Sequence, residues 1–148
     1  MSEEIILELL ARVKALEQQI ERTRVIESSI AVQGYVATTN ATITTIATIS
    51  IPSSTTVTIE IHVSARRTGG IAGAAEDGAG YVQQATYKNV AGTATLIGSV
   101  NADFTAESQA AWDVTFAVSG ANVLIRVTGA ADNNISWYCA ANVYQISS

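Results

Sequence analysis

The sequence contains very few of the side chains that form disulfide bonds or bind metal ions. It contains one cysteine (Cys139), one histidine (His62) and one proline in 148 residues. A single cysteine cannot form a disulfide within the chain. A zinc site built from nitrogen and sulfur ligands needs about four such residues. The sequence therefore predicts a fold held by packing alone, with no metal and no cofactor.

Charge is also scarce, and basic charge most of all. Charged residues make up 14% of the chain and the net charge is -5, whereas about 25% is usual for a soluble domain. Arg66-Arg67 is the only basic pair beyond residue 27, and nucleic-acid readers need a basic stripe. No apolar run approaches the ~20 residues of a membrane helix. The first residues are acidic where a secretory signal is basic. We expect no nucleic-acid partner, no membrane partner and synthesis in the cytoplasm without a signal peptide.

The charges that are present are concentrated at one end. Residues 1–27 hold ten of the 21 charged side chains, and the other 121 residues share eleven. The first segment is rich in Glu, Leu, Gln and Arg and lacks Gly and Pro, which favours a helix. Later residues are rich in Thr, Ser, Val, Ile and Ala, which favours strands. The sequence predicts a helical stalk or anchor at 1–27 and a β head at 28–148.

Apolar residues in the first segment recur at a spacing of 3-4-3-4, the heptad pattern of a coiled coil. The seam residues are Ile6, Leu9, Val13, Leu16 and Ile20. Arg12 to Glu17 also fits the short Arg-apolar-x-x-apolar-Glu signature of parallel trimeric coiled coils, in which Arg12 would reach Glu17 of a neighbouring helix. A β-branched a position with Leu at d leans towards dimers, and Leu7 and Leu10 would also suit a helix packed on its own head. The sequence favours a coiled coil, and a trimer over a dimer.

The second segment is predicted to be β-rich throughout. Val57–Val63 alternates strictly, with valine and isoleucine on one face and Thr58, Glu60 and His62 on the other. The stretch 42–63 has the pattern of a hairpin with its turn at 51–54. Seven or eight short strands separated by Gly, Asn and Ser turns predict a mainly β fold, an antiparallel β-sandwich or jelly roll. Further strands are predicted at 80–88, 94–100, 113–118, 123–128 and 135–146.

The last predicted strand is apolar on both faces. Trp137 and Cys139 lie on one face, and Tyr138, Tyr144 and Ile146 lie on the other. A small sandwich covers only one of these faces, so a neighbouring subunit is expected on the other. Tyr138, Tyr144 and Ile146 are therefore predicted inter-subunit residues of the head, with the chain as its own partner.

No set of residues predicts catalysis. His62 stands beside Glu60 without a third partner, which is typical of a surface histidine. Cys139 lies in an apolar strand and is predicted to be a buried small hydrophobe. Glu107 and Asp113 invite a glycosidase interpretation, but no cleft accompanies them in the sequence. We expect a protein that is not an enzyme.

The remaining acidic clusters lie in turns. Glu76-Asp77-Gly78 and Asp132-Asn133-Asn134 could offer oxygens to Ca²⁺, although Asp and Asn are usual in turns for backbone reasons. The Gly-rich stretch 68–80 is predicted to be a long exposed loop, where binding functions often reside. Glu76, Asp77 and Trp112 are the candidate ligand-contacting residues, with a surface glycan as the candidate ligand.

Several segments resemble a known family. They are Gly80 to Asn89 (GYVQQATYKN), Gly92 to Gly98 (GTATLIG), Val123 to Gly129 (VLIRVTG) and Ile135 to Trp137. Their pattern and order, over roughly residues 64–148, resemble a β domain found at the ends of tailed-bacteriophage fibres and other virion proteins. The resemblance implies a homotrimeric, TNF-like or jelly-roll head behind a triple coiled coil. About three heptads make a shorter stalk than a long tail fibre has, which favours a short appendage.

These observations lead to one main expectation and two alternatives. The chain is expected to be a non-enzymatic homotrimeric virion structural protein of a tailed phage, a capsid decoration, head appendage or short fibre, whose N-terminal helix contacts other capsid or tail proteins. The first alternative is a receptor-binding fibre tip that contacts host glycan. The second is a cellular binding module of the TNF or C1q type.

Overall fold

A computed structural model describes residues 2–24 and 27–148, which form one helix followed by strands. The order of elements confirms the predicted change from helix to strand along the chain. The elements are α1 (Glu3–Arg24), β1 (Glu27–Thr38), β2 (Thr44–Ser50), β3 (Thr55–Gly70), β4 (Gly78–Val90), β5 (Thr93–Glu107), β6 (Asp113–Ser119), β7 (Asn122–Thr128) and β8 (Asn133–Ser147).

Helix α1 is formed by good helix formers and carries Glu3 and Glu4 in its first turn, where acidic side chains complement the helix dipole. Arg12 Nη2 donates to Glu8 Oε1 at 2.7 Å one turn earlier. Every side chain from residue 2 to residue 20 is exposed. The helix makes no extended contact with any of the strands in the described part of the chain, so its apolar stripe is uncovered within one chain.

The strands form two antiparallel sheets. One has five strands in the order β1-β8-β3-β4-β5, and the other has three in the order β2-β7-β6. Strands β3, β4 and β5 follow one another as neighbours, and β8 returns to lie beside β3, which is the Greek-key order. Residues of both sheets share a single hydrophobic core, the layer arrangement of a β-sandwich.

The core is built from alternate residues, as the sequence pattern predicts. On β3, Val57, Ile59, Ile61 and Val63 are all at most 2% exposed. The inward residues of β7 and β8 are equally buried, and the residues between them face outward. Burial of each such side chain contributes about 1.5–3 kcal/mol of favourable free energy.

The predicted hairpin over 42–63 is wrong. Strand β2 pairs with β7 in the three-stranded sheet, while β3 pairs with β4 and β8 in the other. The connection crosses between the sheets through buried Ile51, whose N–H donates to the carbonyl of Ala121 at 3.0 Å. Alternation fixes which face of a strand is apolar but not which strand pairs with it, so two apolar faces can meet across the core instead.

Two stretches of strand exceed the prediction. Strand β1 has no counterpart among the predicted strands, and β5 continues past residue 100 to Glu107. Where β1 approaches β2, a Cβ on Gly34 would clash with the carbonyl oxygen of Ile46. A glycine is therefore required where the two sheets come closest at this edge.

Candidate interaction surfaces

The predicted seam of α1 lies on one exposed stripe. Its five apolar side chains are 45–59% exposed: Ile6, Leu9, Val13, Leu16 and Ile20. Arg12 pairs with Glu8 of its own helix, whereas the predicted contact with Glu17 would join two helices and stays a prediction. An amphipathic helix buries its stripe against something, and the described strands of its own chain do not cover this one.

The second surface is the outer face of the five-stranded sheet. Tyr138, Tyr144 and Ile146 project from it and are exposed, while the alternate residues of β8 are buried. Tyr35 of β1 lies directly opposite Tyr138 in the register and is 70% exposed. The sequence prediction missed Tyr35 because β1 was not predicted, although Val32 and Val36 alternate with outward-facing residues there. Three tyrosines therefore share one exposed sheet face.

Glu60 and His62 make a side-chain hydrogen bond on this same face, on neighbouring outward positions of β3. His62 Nε2 lies 2.9 Å from Glu60 Oε1. The contact lies on the surface, as expected from the sequence pattern for a surface histidine beside Glu60. Among the described residues, no group of three or more His, Cys, Asp and Glu side chains is arranged to hold a metal ion.

The third surface is the end of the head formed by loops 39–43, 71–77, 108–112 and 129–132. Strand β1 starts at the opposite end of the sheet, because Glu27 pairs with Ile146 and Thr38 pairs with Ile135. We call the loop-bearing end the distal end. The loop between β3 and β4 covers only residues 71–77, so the predicted loop over 68–80 is too long.

A polar network fixes the distal loops to one another. The Asp77 carboxylate accepts the N–H of Ala74 at 2.9 Å and the Gln109 amide at 2.8 Å. The same amide of Gln109 donates to Asn133 Oδ1 at 3.0 Å. These bonds, chiefly that of Ala74, lower the pKa of Asp77. The structure thus brings together the two predicted acidic turns through Gln109, a link that nothing in the sequence signals.

The loop at 71–77 is held from within as well. Arg67 donates to the carbonyls of Ala72 at 2.9 Å and Gly70 at 2.7 Å. At Gly73, where φ is 75°, a Cβ would collide with Asn133 and Gln109. Ile71, the first residue of the loop, is 92% exposed. The loop presents one isolated apolar side chain on a fixed backbone.

Trp112 is not an exposed loop residue, which corrects the prediction that it contacts a ligand. It is 1% exposed, and its ring centroid lies 5.8 Å from that of Trp137 in a tilted arrangement. Trp137 Nε1 donates to Thr38 Oγ1 at 2.9 Å. Trp112 therefore packs in the core, and only Glu76 and Asp77 of the predicted ligand residues lie on the surface loop.

The two carboxylates considered for glycoside hydrolysis each make a local hydrogen bond. Glu107 Oε2 accepts the hydroxyl of buried Tyr81 at 2.7 Å, and Asp113 Oδ1 accepts the N–H of Val114 at 2.8 Å. Burial, the Glu107 hydrogen bond and the nearby carboxylates raise the pKa of Tyr81. Glu107 therefore holds the hydroxyl of Tyr81 in place, and Asp113 holds the backbone at Val114.

Cys139 lies on the inward face of β8 and is fully buried, as predicted. Burial raises the pKa of its thiol to about 11. The thiolate, which is the nucleophilic form, is therefore disfavoured at neutral pH.

Searches for similar proteins give distant likenesses only. No protein-family model matches the chain, and no curated protein matches it. No helix in the described part of the chain is long and apolar enough to span a membrane.

Three similar solved structures are tailspike proteins of Acinetobacter phages. That of Acinetobacter baumannii phage AM24 has a TM-score of 0.49 at 10% identity, over 86% of this chain and 27% of that chain. That of Acinetobacter phage vB_ApiP_P1 has a TM-score of 0.39 at 15% identity, over 81% and 22%. That of Acinetobacter baumannii bacteriophage Fri1, described as a capsular polysaccharide depolymerase, has a TM-score of 0.36 at 10% identity, over 78% and 19%.

The chain spans about a quarter or less of the length of these tailspikes. All three TM-scores lie below 0.5, and the likenesses do not establish an activity for this chain.

Proposed function

We propose that the chain is a homotrimeric, non-enzymatic structural protein of a tailed-bacteriophage virion. In this proposal α1 is the stalk and the attachment to other virion proteins, and the β head projects from it. The observation that carries the proposal is the uncovered apolar seam of α1. Parallel coiled-coil association covers such a seam with the same seam of other copies. The resemblance of residues 64–148 to phage virion domains supports the virion setting.

The accessible area of the chain supports association. One chain exposes 8813 Å², whereas a compact monomer of 15.5 kDa exposes about 7,200 Å². The excess is about 1,600 Å², which is about twice the ~800 Å² that each partner of a typical stable interface buries. Every side chain from residue 2 to residue 20 is exposed, so α1 contributes to this surplus area.

Within the virion class, the proposal is capsid decoration, a head appendage or a short fibre. The described helix α1 has 22 residues and is about 33 Å long. Counting copies in purified virions tests this: tens to hundreds of copies indicate the capsid, and a few trimers indicate the tail.

The role of α1 has its own test. Deleting residues 1–27 is expected to weaken trimerisation or particle attachment while the head keeps its β-sheet circular dichroism. Sedimentation of the truncated chain and its incorporation into particles are the measurements. A truncated chain that remains trimeric and still occupies virions would refute the stalk and anchor role.

A receptor-binding tip is the second candidate, because the distal loops point away from the end where β1 starts. Exposed Ile71 and Glu76 lie on the loop that Asp77 and Arg67 hold in place. Binding of the intact chain to host cells or capsular glycan, lost on Ile71→Asp and retained in a Phe104→Asp control, would favour this function. Absence of binding by the intact trimer would remove it.

The absence of catalysis is part of the proposal and is tested separately. Glu107 is committed to Tyr81 by a 2.7 Å hydrogen bond, so we expect no hydrolysis of host polysaccharide. Release of reducing ends by the intact chain, abolished by Glu107→Gln or Asp113→Asn, would contradict this part. The structural role would then need revision towards a depolymerase.

A further inference from the structure

We propose that the outer face of β1 and β8 is the surface through which the three heads pack on one another around the three-fold axis. We call it the β1/β8 face, and its projecting side chains include Tyr35, Tyr138, Tyr144 and Ile146. The occupant is a second copy of this chain. This inference rests on the proposed trimer and adds which part of the head lies at its centre.

Chain connectivity places β1 beside the stalk. Helix α1 ends at Arg24 and β1 begins at Glu27, so these two Cα atoms are at most about 11 Å apart. Strand β1 is an edge strand of the five-stranded sheet, and β8 is its neighbour. In a parallel trimer, three β1 strands therefore begin next to three adjoining helices. The other edge strand, β5, lies four strand spacings away, about 19 Å.

The charges of the outer face are segregated in the direction that this placement requires. Residues 29–37 of β1 and 136–146 of β8 contain no charged side chain. Apart from Glu27 at the first position of β1, which pairs with outward Ile146, the outward charges of the five-stranded sheet lie on the strands farther from β1. They are Glu60, His62 when protonated, Arg66, Lys88 and Asp103. The buried centre of a protein interface is depleted of charge and enriched in tyrosine, while its rim is polar.

The register gives the β1/β8 face a shape that suits packing of like chains. Tyr35 and Tyr138 stand opposite each other, and Tyr144 stands opposite Ser29 nearer the stalk. Gln33 opposite Ala140 lies between the two tyrosine rows. Ala31 and Ala140, also between these rows, have short side chains beside which a neighbour's rings can pack. An interface in a cyclic trimer is heterologous, so a projecting ring of one copy meets a different part of the face of the next.

Distances between spin labels test the placement directly. Cys139→Ala removes the native thiol, and nitroxides are then attached at Tyr35→Cys or, as the matched aromatic site on the same face, at Phe104→Cys of β5. Because a three-fold axis multiplies a radial difference by √3, the label separation at 104 should exceed that at 35 by up to about 30 Å. Equal separations, or shorter ones at 104, would overturn the proposal.

A charge substitution tests the energetics of the same face. In the full chain, Tyr138→Glu is expected to raise the trimer dissociation constant at least tenfold and to lower the melting temperature, whereas Phe104→Glu leaves both unchanged. Far-UV circular dichroism checks that each variant keeps its strands. Equal effects of the two substitutions would refute the proposal.

The outcomes separate this inference from the proposed function. A wild-type chain that sediments as a monomer overturns both. Suppose that Val13→Asp disperses the trimer, that Tyr138→Glu does not, and that the label separation at residue 35 is no shorter than that at 104. The proposed function then stands, and only the inference about the β1/β8 face is overturned. If Tyr138→Glu leaves the trimer intact and abolishes binding to host polysaccharide, the face is a ligand platform and the inference is wrong.

Discussion

Replacement of Val13 by aspartate is the most direct perturbation of the stalk. Val13 occupies the middle of the seam, with Leu9 and Leu16 one turn to either side, and it is 49% exposed in the single chain. In an isolated helix the substitution changes little, because valine and aspartate have similar helix propensities. In a coiled coil it places three carboxylates at the same level of the seam.

The expected loss follows from what the seam gains. Each seam residue is about half exposed, so covering it contributes roughly 1 kcal/mol. Five residues on each of three helices then contribute about 15 kcal/mol, which lies within the roughly 8–30 kcal/mol that the two association steps of a trimer cost. Val13→Asp removes about 3 kcal/mol of this gain and adds the cost of burying unpaired carboxylates. We expect a loss of at least about 5 kcal/mol per trimer.

Sedimentation equilibrium over a range of chain concentrations measures this loss. At 1.4 kcal/mol for each factor of ten, a loss of 5 kcal/mol raises the trimer dissociation constant more than 10³-fold. Ala11→Asp is the matched control, since residue 11 lies opposite the seam in the heptad. The control costs more helix propensity than the test variant and should leave the trimer intact. A Val13→Asp chain with wild-type mass and melting temperature would refute the heptad register.

Three further predictions concern the head. Gly34→Ala forces a Cβ against the carbonyl of Ile46 and should lower the free energy of unfolding, measured by chemical denaturation, by roughly 1–3 kcal/mol. Gly80→Ala is the control, because position 80 has room for a methyl group. Equal losses in the two variants would contradict the close approach at Gly34. The folded-state pKa of Asp77 lies below its ordinary value, so the ionised carboxylate stabilises the fold above about pH 4, and this stabilisation is lost as the pH falls through that lower pKa. Asp77→Asn should therefore weaken the dependence of the melting temperature on pH between pH 2 and 5. An unchanged dependence would contradict the role of Asp77. Cys139 should not react with a thiol reagent at pH 8 until the chain is unfolded, and rapid labelling of the native chain would disprove its burial.

Periodicity carried most of the fold prediction where each strand has one apolar and one polar face. Val57 to Val63 and Ile135 to Val143 were assigned correctly, because alternate burial leaves a direct mark on the sequence. Strand β1 lacks that mark, since outward Ala31 and Ala37 differ little in polarity from inward residues. The partner of β2 was also missed, because pairing depends on the path of the chain through Ile51 and not on the pattern of either strand.

The surface sites were less predictable for a related reason. Trp112 was expected on an exposed loop, yet its ring is buried against Trp137. Gln109 joins Asp77 of a neighbouring loop to Asn133, the first residue of β8. Such a junction depends on how the ends of several strands meet, and the local sequence of any one loop does not contain it.

The edge strands β5 and β6 carry features that discourage association, whereas the β1/β8 face exposes tyrosines. At the edge strand β6, the carbonyl of Val114 accepts the side-chain amide of buried Gln83 at 3.0 Å. At β5, the register shifts beside Asp103, whose carboxylate accepts the amide of Gln84 at 2.8 Å. Occupied edge groups, bulges and charges discourage pairing with stray strands. Residues 29–37 of β1 and 136–146 of β8 carry no charge and expose Tyr35 and Tyr138 instead, so over this stretch the proposed trimer brings together a side of the head that lacks such protection.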